Sequence, residues 1–136
     1  MKTKQILKTV LAIICGEVIM ILLITVAQEV IVNGVRIGAS PLQDIIIGGT
    51  GTIISGIIAG FVSTFIGGIS NRIPAIGLTI LVIIETTLLI VLEKINNPIW
   101  FDASAALSLI GAIWVGYYLF QKLKNRRLNS EEKVAL

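Results

Sequence analysis

Histidine is absent from this sequence, and cysteine occurs once, at Cys15. Without histidine there is no imidazole for acid–base catalysis or for a transition-metal cluster, and one cysteine cannot form an internal disulfide. We therefore expect no metal site, no cofactor and no catalytic residue, and we interpret Cys15 as a small apolar core residue. The glycines between residues 48 and 68 lack the strand–loop–helix context of a nucleotide-binding loop. The sequence thus predicts a protein that is not an enzyme.

Charge is also scarce, since charged residues make up 14% of the 136 residues and hydrophobic residues 55%. This composition is too apolar for an ordinary soluble domain. The apolar residues form four segments, each close to the roughly 20 residues that a helix needs to cross a bilayer. The segments span approximately residues 6–27, 45–68, 73–92 and 103–120. We predict an all-α membrane protein, with one domain (1–136) that is a bundle of four transmembrane helices followed by a short basic tail (121–136).

Basic residues are unevenly distributed around these segments. Nine of the 11 lie before or at the start of the first segment, between the second and the third, or after the fourth: Lys2, Lys4, Lys8, Arg72, Lys122, Lys124, Arg126, Arg127 and Lys133. Because positive charge marks the cytoplasmic side, we predict that both termini are cytoplasmic. The basic tail is then an anchor to anionic lipid rather than a nucleic-acid site. Glu17 interrupts the first apolar segment, so we expect that segment to remain as a helix rather than be a cleaved signal peptide.

Aromatic residues are only 6% of the chain. We predict interfacial belts of aromatic rings at Trp100 and Phe101, at the outer boundary, and at Trp114, Tyr117 and Tyr118, toward the inner end of the fourth segment, with an aromatic ligand site as the alternative. The longest connection spans residues 28–40. Its end, "SPLQ", predicts a capping box at Ser40 that opens the second helix, and its first residues either prolong the first helix or form a short extended piece.

Small residues recur at every fourth position of the second segment. This row consists of Gly48, Thr52, Gly56, Gly60, Thr64 and Gly68, and a matching row on the fourth segment consists of Ser104, Ser108, Ala112 and Gly116. In lipid, rows of small residues let helix backbones approach closely. We predict that the second and fourth helices pack together, within one chain or between copies. The alternative is a polar pathway with oxygen atoms from Thr50, Thr52, Ser55, Ser63 and Thr64.

Two carboxyl side chains, Glu17 and Glu85, fall inside apolar segments. An ionisable group at that depth costs on the order of 3 kcal/mol, and no basic residue lies at a matching depth. We therefore expect each carboxyl group to be protonated or hydrogen-bonded. Their depths differ by about four to six residues, or roughly 6–9 Å, so they are close enough to share a cavity. They are the candidate proton- or ion-coupling residues, and the alternative is that they are neutral contacts between helices or with a partner.

Two resemblances bear on function. "GEVIM" (16–20) resembles the first-helix glutamate segment of small multidrug resistance exporters, but the tryptophan–glycine segment of that family's third helix is missing from the third helix here. We therefore do not place the chain in that family. "SGIIAGFVSTFIGGISNRIPAIG" and "NPIWFDASAALSLIGAIWVGYYL" are similar to a broad group of small bacterial four-helix membrane proteins. This resemblance covers about the last two thirds of the chain and implies the same topology in a bacterial cytoplasmic (inner) membrane.

Two functions remain after these exclusions. The first is a non-enzymatic accessory or scaffold subunit, which packs its glycine-rich faces against other membrane subunits or against copies of itself. The second is a small proton- or cation-coupled transporter that acts as an oligomer and uses Glu17 and Glu85. In both cases the expected surroundings are a lipid bilayer with anionic lipid at the basic tail, and no nucleic acid.

Overall fold

The computed structural model describes residues 2–35, 38–68, 71–92 and 98–134. The helices are α1 (Lys2–Thr25), which continues as a π-helical segment (Val26–Ile31), α2 (Leu42–Gly67), α3 (Ile73–Val91) and α4 (Ile99–Val134). Each of the four α-helices is long and apolar enough to cross a membrane. The prediction of an all-α chain with four membrane-length helices is confirmed, and we treat the chain as a multi-pass membrane protein.

Helix α2 is the centre of the bundle, with its most extensive contacts to α4 and α1. Gly51 lies against Ala27, just after α1, and Gly67 lies near Ala12, in the middle of α1, so α1 and α2 are antiparallel. Gly56 contacts Leu109 and Gly60 contacts Ile113, so α2 and α4 run in the same direction.

The two ends of the bundle differ in charge. We call the end that carries Lys4, Arg72 and Lys124 the basic end, and the end that carries Glu29 and Asp102 the acidic end. The first and last described residues, 2 and 134, both belong to helices that reach the basic end.

The core contains large side chains from each of the three outer helices. Met20 of α1, Leu78 of α3, and Ile113 and Tyr117 of α4 are at most 1% exposed. Helix α2 contributes only small residues at this level, which leaves room for the larger ones. The prediction that Tyr117 belongs to an interfacial belt was wrong, because its ring is buried and its hydroxyl accepts a hydrogen bond from the Gln121 amide.

Helix α4 is longer than its apolar segment. Its 36 residues correspond to about 54 Å, whereas the hydrocarbon core of a bilayer is about 30 Å thick. The helix therefore continues through most of the basic tail, which the sequence interpretation placed after the last helix. Residues 121–134 contain neither glycine nor proline and are rich in lysine, arginine, glutamate and leucine, which are strong helix formers.

The connection from α1 to α2 begins with helix rather than with an extended piece. After the π-helical segment, Asn33 and Gly34 adopt positive φ angles of 57° and 86°, and the Gly34 N–H donates to the Gln28 carbonyl at 2.7 Å. The predicted capping box at Ser40 was wrong. The Ser40 hydroxyl donates to the Gly34 carbonyl at 3.3 Å, and Pro41 occupies the N-cap of α2.

Asn71 ties the connection between α2 and α3 to α1. Its side-chain N–H donates to the Thr9 hydroxyl at 2.8 Å, and its Oδ1 accepts the Ile73 N–H at 3.0 Å in the first turn of α3. We expect Asn71→Ala to lose both bonds and to lower the free energy of unfolding by about 1–2 kcal/mol. Thr9→Val keeps the Asn71–Ile73 bond, loses the first bond together with the exposed Thr9 donation to the Gln5 carbonyl, and should cost less. Thermal unfolding in detergent measures both, with the exposed Gln43→Ala as control. An Asn71→Ala protein as stable as this control would contradict the assignment.

Candidate functional site

The α2–α4 contact is one of backbone against backbone. A methyl carbon placed on Gly60 would lie 2.1 Å from the Ile113 carbonyl oxygen, and one placed on Gly116 would lie 2.1 Å from the Ile57 carbonyl oxygen. Atoms of real side chains do not approach a carbonyl oxygen so closely. The structure thus brings Gly56 and Gly60 of the predicted α2 row together with Ala112 and Gly116 of the predicted α4 row.

The other residues of the two predicted rows have different surroundings. Thr52 and Thr64 are buried and donate to the Gly48 and Gly60 carbonyls of their own helix. Gly48 faces Val32 and Val35, and Gly68 ends the helix with a φ of 97°. Ser104 and Ser108 are exposed.

The opposite side of α2 is covered by α1 and α3. A methyl carbon on Gly51 would lie 2.5 Å from Ala27, and one on Gly67 would lie 2.5 Å from Pro74. Ser55 and Ser63 are buried and donate to the Gly51 and Gly60 carbonyls within α2. Helices of the same chain therefore cover both small-residue sides of α2.

The Glu17 carboxyl group is enclosed inside the bundle. The preceding residue, Gly16, is buried against Ser63 of α2 and Leu78 of α3. Both carboxyl oxygens are buried, and neither accepts a hydrogen bond from a donor in the described part of the chain. Because burial of an unpaired carboxylate is costly, this group requires either a proton or a ligand.

Glu85 of α3 is the side chain next to the Glu17 carboxyl group. A carboxylate is an acceptor only, so the contact becomes a hydrogen bond when one of the two groups carries a proton. Two carboxylates at this range repel each other when both are ionised, and a shared proton removes the repulsion. The predicted difference in depth had allowed a shared cavity, and the structure brings the two carboxyl groups side by side. Unlike Glu17, Glu85 is exposed on the bundle surface.

A cavity of about 280 Å³ leads from Glu85 toward the acidic end. Met20, Val82 and Leu109 form its apolar wall, while Thr86 and Asp102 add polar atoms. A second cavity of about 480 Å³ lies at the acidic end, between the π-helical segment, α2 and α4. Together the two cavities extend from Glu85 to the acidic end, with walls that are mainly apolar but include the polar side chains of Gln28, Thr52 and Asp102.

Gln28, Thr52 and Asp102 line both cavities, and we call these three residues the neck. The Gln28 amide donates to the Thr52 hydroxyl at 2.9 Å, which fixes one side of the neck. Glu29, Glu85 and Asp102 are on the cavity walls, and the described part of these walls carries no lysine or arginine. Acidic walls attract cations and repel anions, so the approach favours protons or metal cations.

The Gln28–Thr52 hydrogen bond should be detectable as a coupling energy. We expect Gln28→Leu and Thr52→Val each to destabilise the bundle, and the double variant to cost less than the sum. Hydrogen bonds between membrane helices couple by about 0.6 kcal/mol on average and at most by about 1.7 kcal/mol. Denaturant unfolding in detergent measures the four proteins of this cycle. Strict additivity would contradict the bond, and Gln43→Leu with Thr52→Val is the control pair.

Sequence reasoning did not single out Gln28 or Asp102. Both are polar residues within one turn of the end of a membrane-length apolar segment. That position can be recognised in the sequence, but it does not reveal which side of the helix faces a cavity. In the described part of the chain, no three His, Cys, Asp or Glu side chains come together as a metal site requires. The candidate site is therefore the carboxyl pair, with the neck as its approach.

Comparison with known proteins does not assign this site. No protein-family model, curated protein or solved structure matches the chain.

Proposed function

We propose that this protein is a small proton-coupled transporter of the bacterial cytoplasmic membrane, in which Glu17 and Glu85 bind the coupling proton. One observation carries the proposal: the buried Glu17 carboxyl group has no donor partner among the described residues and adjoins Glu85, which lines a cavity toward the acidic end. Intramembrane carboxyl groups in such positions are typical of proton relays. The acidic walls would also allow a metal cation to take the place of the proton.

The proposed route has an open side and a closed side. A proton passes Asp102 in the neck, reaches Glu85 and is shared with Glu17. Toward the basic end, Ala12, Gly67 and Pro74 pack closely together, and we assign this contact as the closed side. Transport then requires a second conformation in which this contact opens, while the neck side closes.

The distribution of charge supports an orientation for this route. Lysine and arginine concentrate at the basic end, so we place that end in the cytoplasm. The cavities then face outward, toward the side from which a bacterial proton gradient drives protons inward. A reporter fused after Lys133 should be cytoplasmic, and an external reporter would reverse the proposed direction.

Proton flux into liposomes tests the proton route of the proposal, on the premise that the route also passes protons when no transported substrate is bound. The purified protein is reconstituted around a pH-sensitive dye, and the outside is acidified. We expect the wild-type protein to acidify the interior, and Glu17→Gln or Glu85→Gln to lower the rate at least about a hundredfold, the lower end of the 10²–10⁴-fold that a positioned proton-transfer group typically contributes. Asp44→Asn is the matched control, since it also converts a carboxyl group to an amide but lies in the first turn of α2. Wild-type flux no greater than that of the Glu17→Gln, Glu85→Gln double variant would contradict the proposal.

A second candidate function, an accessory subunit in a larger membrane assembly, is favoured by the surface of α3. Its buried residues are Pro74, Ala75, Leu78 and Val82, all in its first half. The second half exposes Glu85 together with large apolar side chains. A carboxyl group facing lipid costs on the order of 3 kcal/mol, and a partner helix would remove that cost.

This accessory role would use α3 rather than the glycine rows, because helices of the same chain already cover those rows. Purification in mild detergent, with particle mass and co-purifying proteins measured together, tests it. A reproducible partner or homo-oligomer that dissociates in Ile84→Arg, but not in Ile54→Arg on α2, would support it. A wild-type monomer without partners would contradict it.

A further inference from the structure

A groove far from the carboxyl pair lies at the basic end, between α2 and α4. Phe61 and Phe65 of α2 and Phe120 of α4 form its apolar wall. The Phe120 ring stands edge-on to the other two, with ring centroids 5.1 Å and 5.9 Å apart. Leu123 and Leu128 continue this wall along α4, and the groove has a volume of about 470 Å³.

Two cations border the same groove. Lys124 and Arg127 both line it and are three residues apart, so they are neighbours on one side of α4. Helix α2 ends at Gly67, and α4 continues past this level to Val134. The phenyl rings therefore lie within the apolar span, and the two cations lie just beyond it.

We propose that this groove is a binding site for one anionic phospholipid. An acyl chain packs against the three phenyl rings, and the phosphate group accepts hydrogen bonds from Lys124 and Arg127. A guanidinium group matches a phosphate with two parallel hydrogen bonds, and an ammonium group adds a point charge. A phospholipid is the occupant because it joins an anion to hydrocarbon at the depth where this groove changes from apolar to basic. Free phosphate would leave the phenyl wall uncovered.

The opposite side of α4 provides an internal comparison. Lys122 and Arg126 lie there beside Tyr118, Asn125 and Asn129, without an apolar wall of phenyl rings. If anionic lipid were attracted to this basic helix without a defined site, the cations on both sides would contribute equally, at about the same free energy per cation. A defined site predicts that only the Lys124 and Arg127 side retains a bound lipid.

Lipid retention measured by mass spectrometry tests the site. The full chain is reconstituted in nanodiscs that contain equal amounts of phosphatidylglycerol and phosphatidylcholine, released into mild detergent, and analysed for bound lipid. We expect one retained phosphatidylglycerol per chain. Lys124→Gln with Arg127→Gln should lower retention about tenfold more than Lys122→Gln with Arg126→Gln, a difference of about 1.4 kcal/mol. Both double variants remove two positive charges from the same helix.

A separate substitution tests the contribution of the apolar wall to lipid retention. Phe65 is 66% exposed, so Phe65→Ala should leave the fold intact and lower retention, whereas the exposed Ile54→Ala on the same helix should not. Equal loss in the two charge variants would overturn the proposal in favour of diffuse attraction. Displacement of the lipid by inorganic phosphate at millimolar concentration, or equal retention of phosphatidylcholine, would also overturn it.

Discussion

A single methyl group at Gly60 is expected to break the bundle. In Gly60→Ala the new carbon would lie 2.1 Å from the Ile113 carbonyl oxygen, and in Gly116→Ala it would lie 2.1 Å from the Ile57 carbonyl oxygen. Each neighbour belongs to the backbone of a helix and cannot move alone, so α2 and α4 must separate along their length. We expect each variant to lower the free energy of unfolding by more than about 3 kcal/mol, above the usual range for overpacking. Denaturant unfolding in detergent measures this loss.

The same two helices contain matched controls. Gly49 of α2 and Gly111 of α4 have no neighbour within 4 Å of an added methyl carbon. Gly49→Ala and Gly111→Ala should therefore change the free energy of unfolding by no more than about 0.5 kcal/mol, as surface substitutions usually do. If Gly60→Ala were as stable as Gly49→Ala, the backbone contact between α2 and α4 would be refuted.

The second large effect concerns the carboxyl pair. Glu17→Lys places an ammonium group beside the Glu85 carboxylate, and the two form an ion pair, so we expect the variant to fold. In a Glu85→Gln background the same substitution leaves a buried charge without a counterion, which costs about 3–5 kcal/mol. We therefore expect Glu17→Lys with Glu85→Gln to fail to fold, although each single variant is recovered. The yield of monodisperse protein and its unfolding midpoint measure the difference.

The Glu17→Lys substitution in a Glu29→Gln background, which keeps Glu85, is the control for general destabilisation. Glu29 is an exposed acidic residue of the π-helical segment, and Glu17→Lys with Glu29→Gln should be as stable as Glu17→Lys alone. If the loss were the same in the Glu29→Gln and Glu85→Gln backgrounds, Glu17 and Glu85 would not be neighbours.

The sequence predicted helix number and type because length and apolarity determine what crosses a bilayer. It also indicated the depths of Glu17 and Glu85, since depth follows from residue count along a helix. It did not determine whether the two groups meet, because this depends on the rotation of α1 and α3 about their axes. That rotation is set by contacts such as Gly16 against Leu78, which bring together residues 62 positions apart.

Tyr117 and the basic tail illustrate two further limits. A tyrosine near the end of an apolar segment is typical of an interfacial belt, yet Tyr117 is buried because it occupies space left by the small residues of α2. Hydropathy ends the fourth segment at residue 120, whereas backbone propensity carries α4 to Val134. The predicted segment was therefore the membrane-spanning part of a longer helix, and the Lys124–Arg127 groove depends on this extension.

The most direct test of the carboxyl pair is its reaction with dicyclohexylcarbodiimide. This apolar reagent adds to protonated carboxyl groups in apolar surroundings and leaves ionised groups at an aqueous surface unmodified. If the pair shares one proton, as we propose, one adduct per chain is expected at neutral pH, mapped by mass spectrometry to Glu17 or Glu85, and none in the Glu17→Gln, Glu85→Gln double variant. Wild-type protein without an adduct at either residue would contradict the claim that this pair binds a proton.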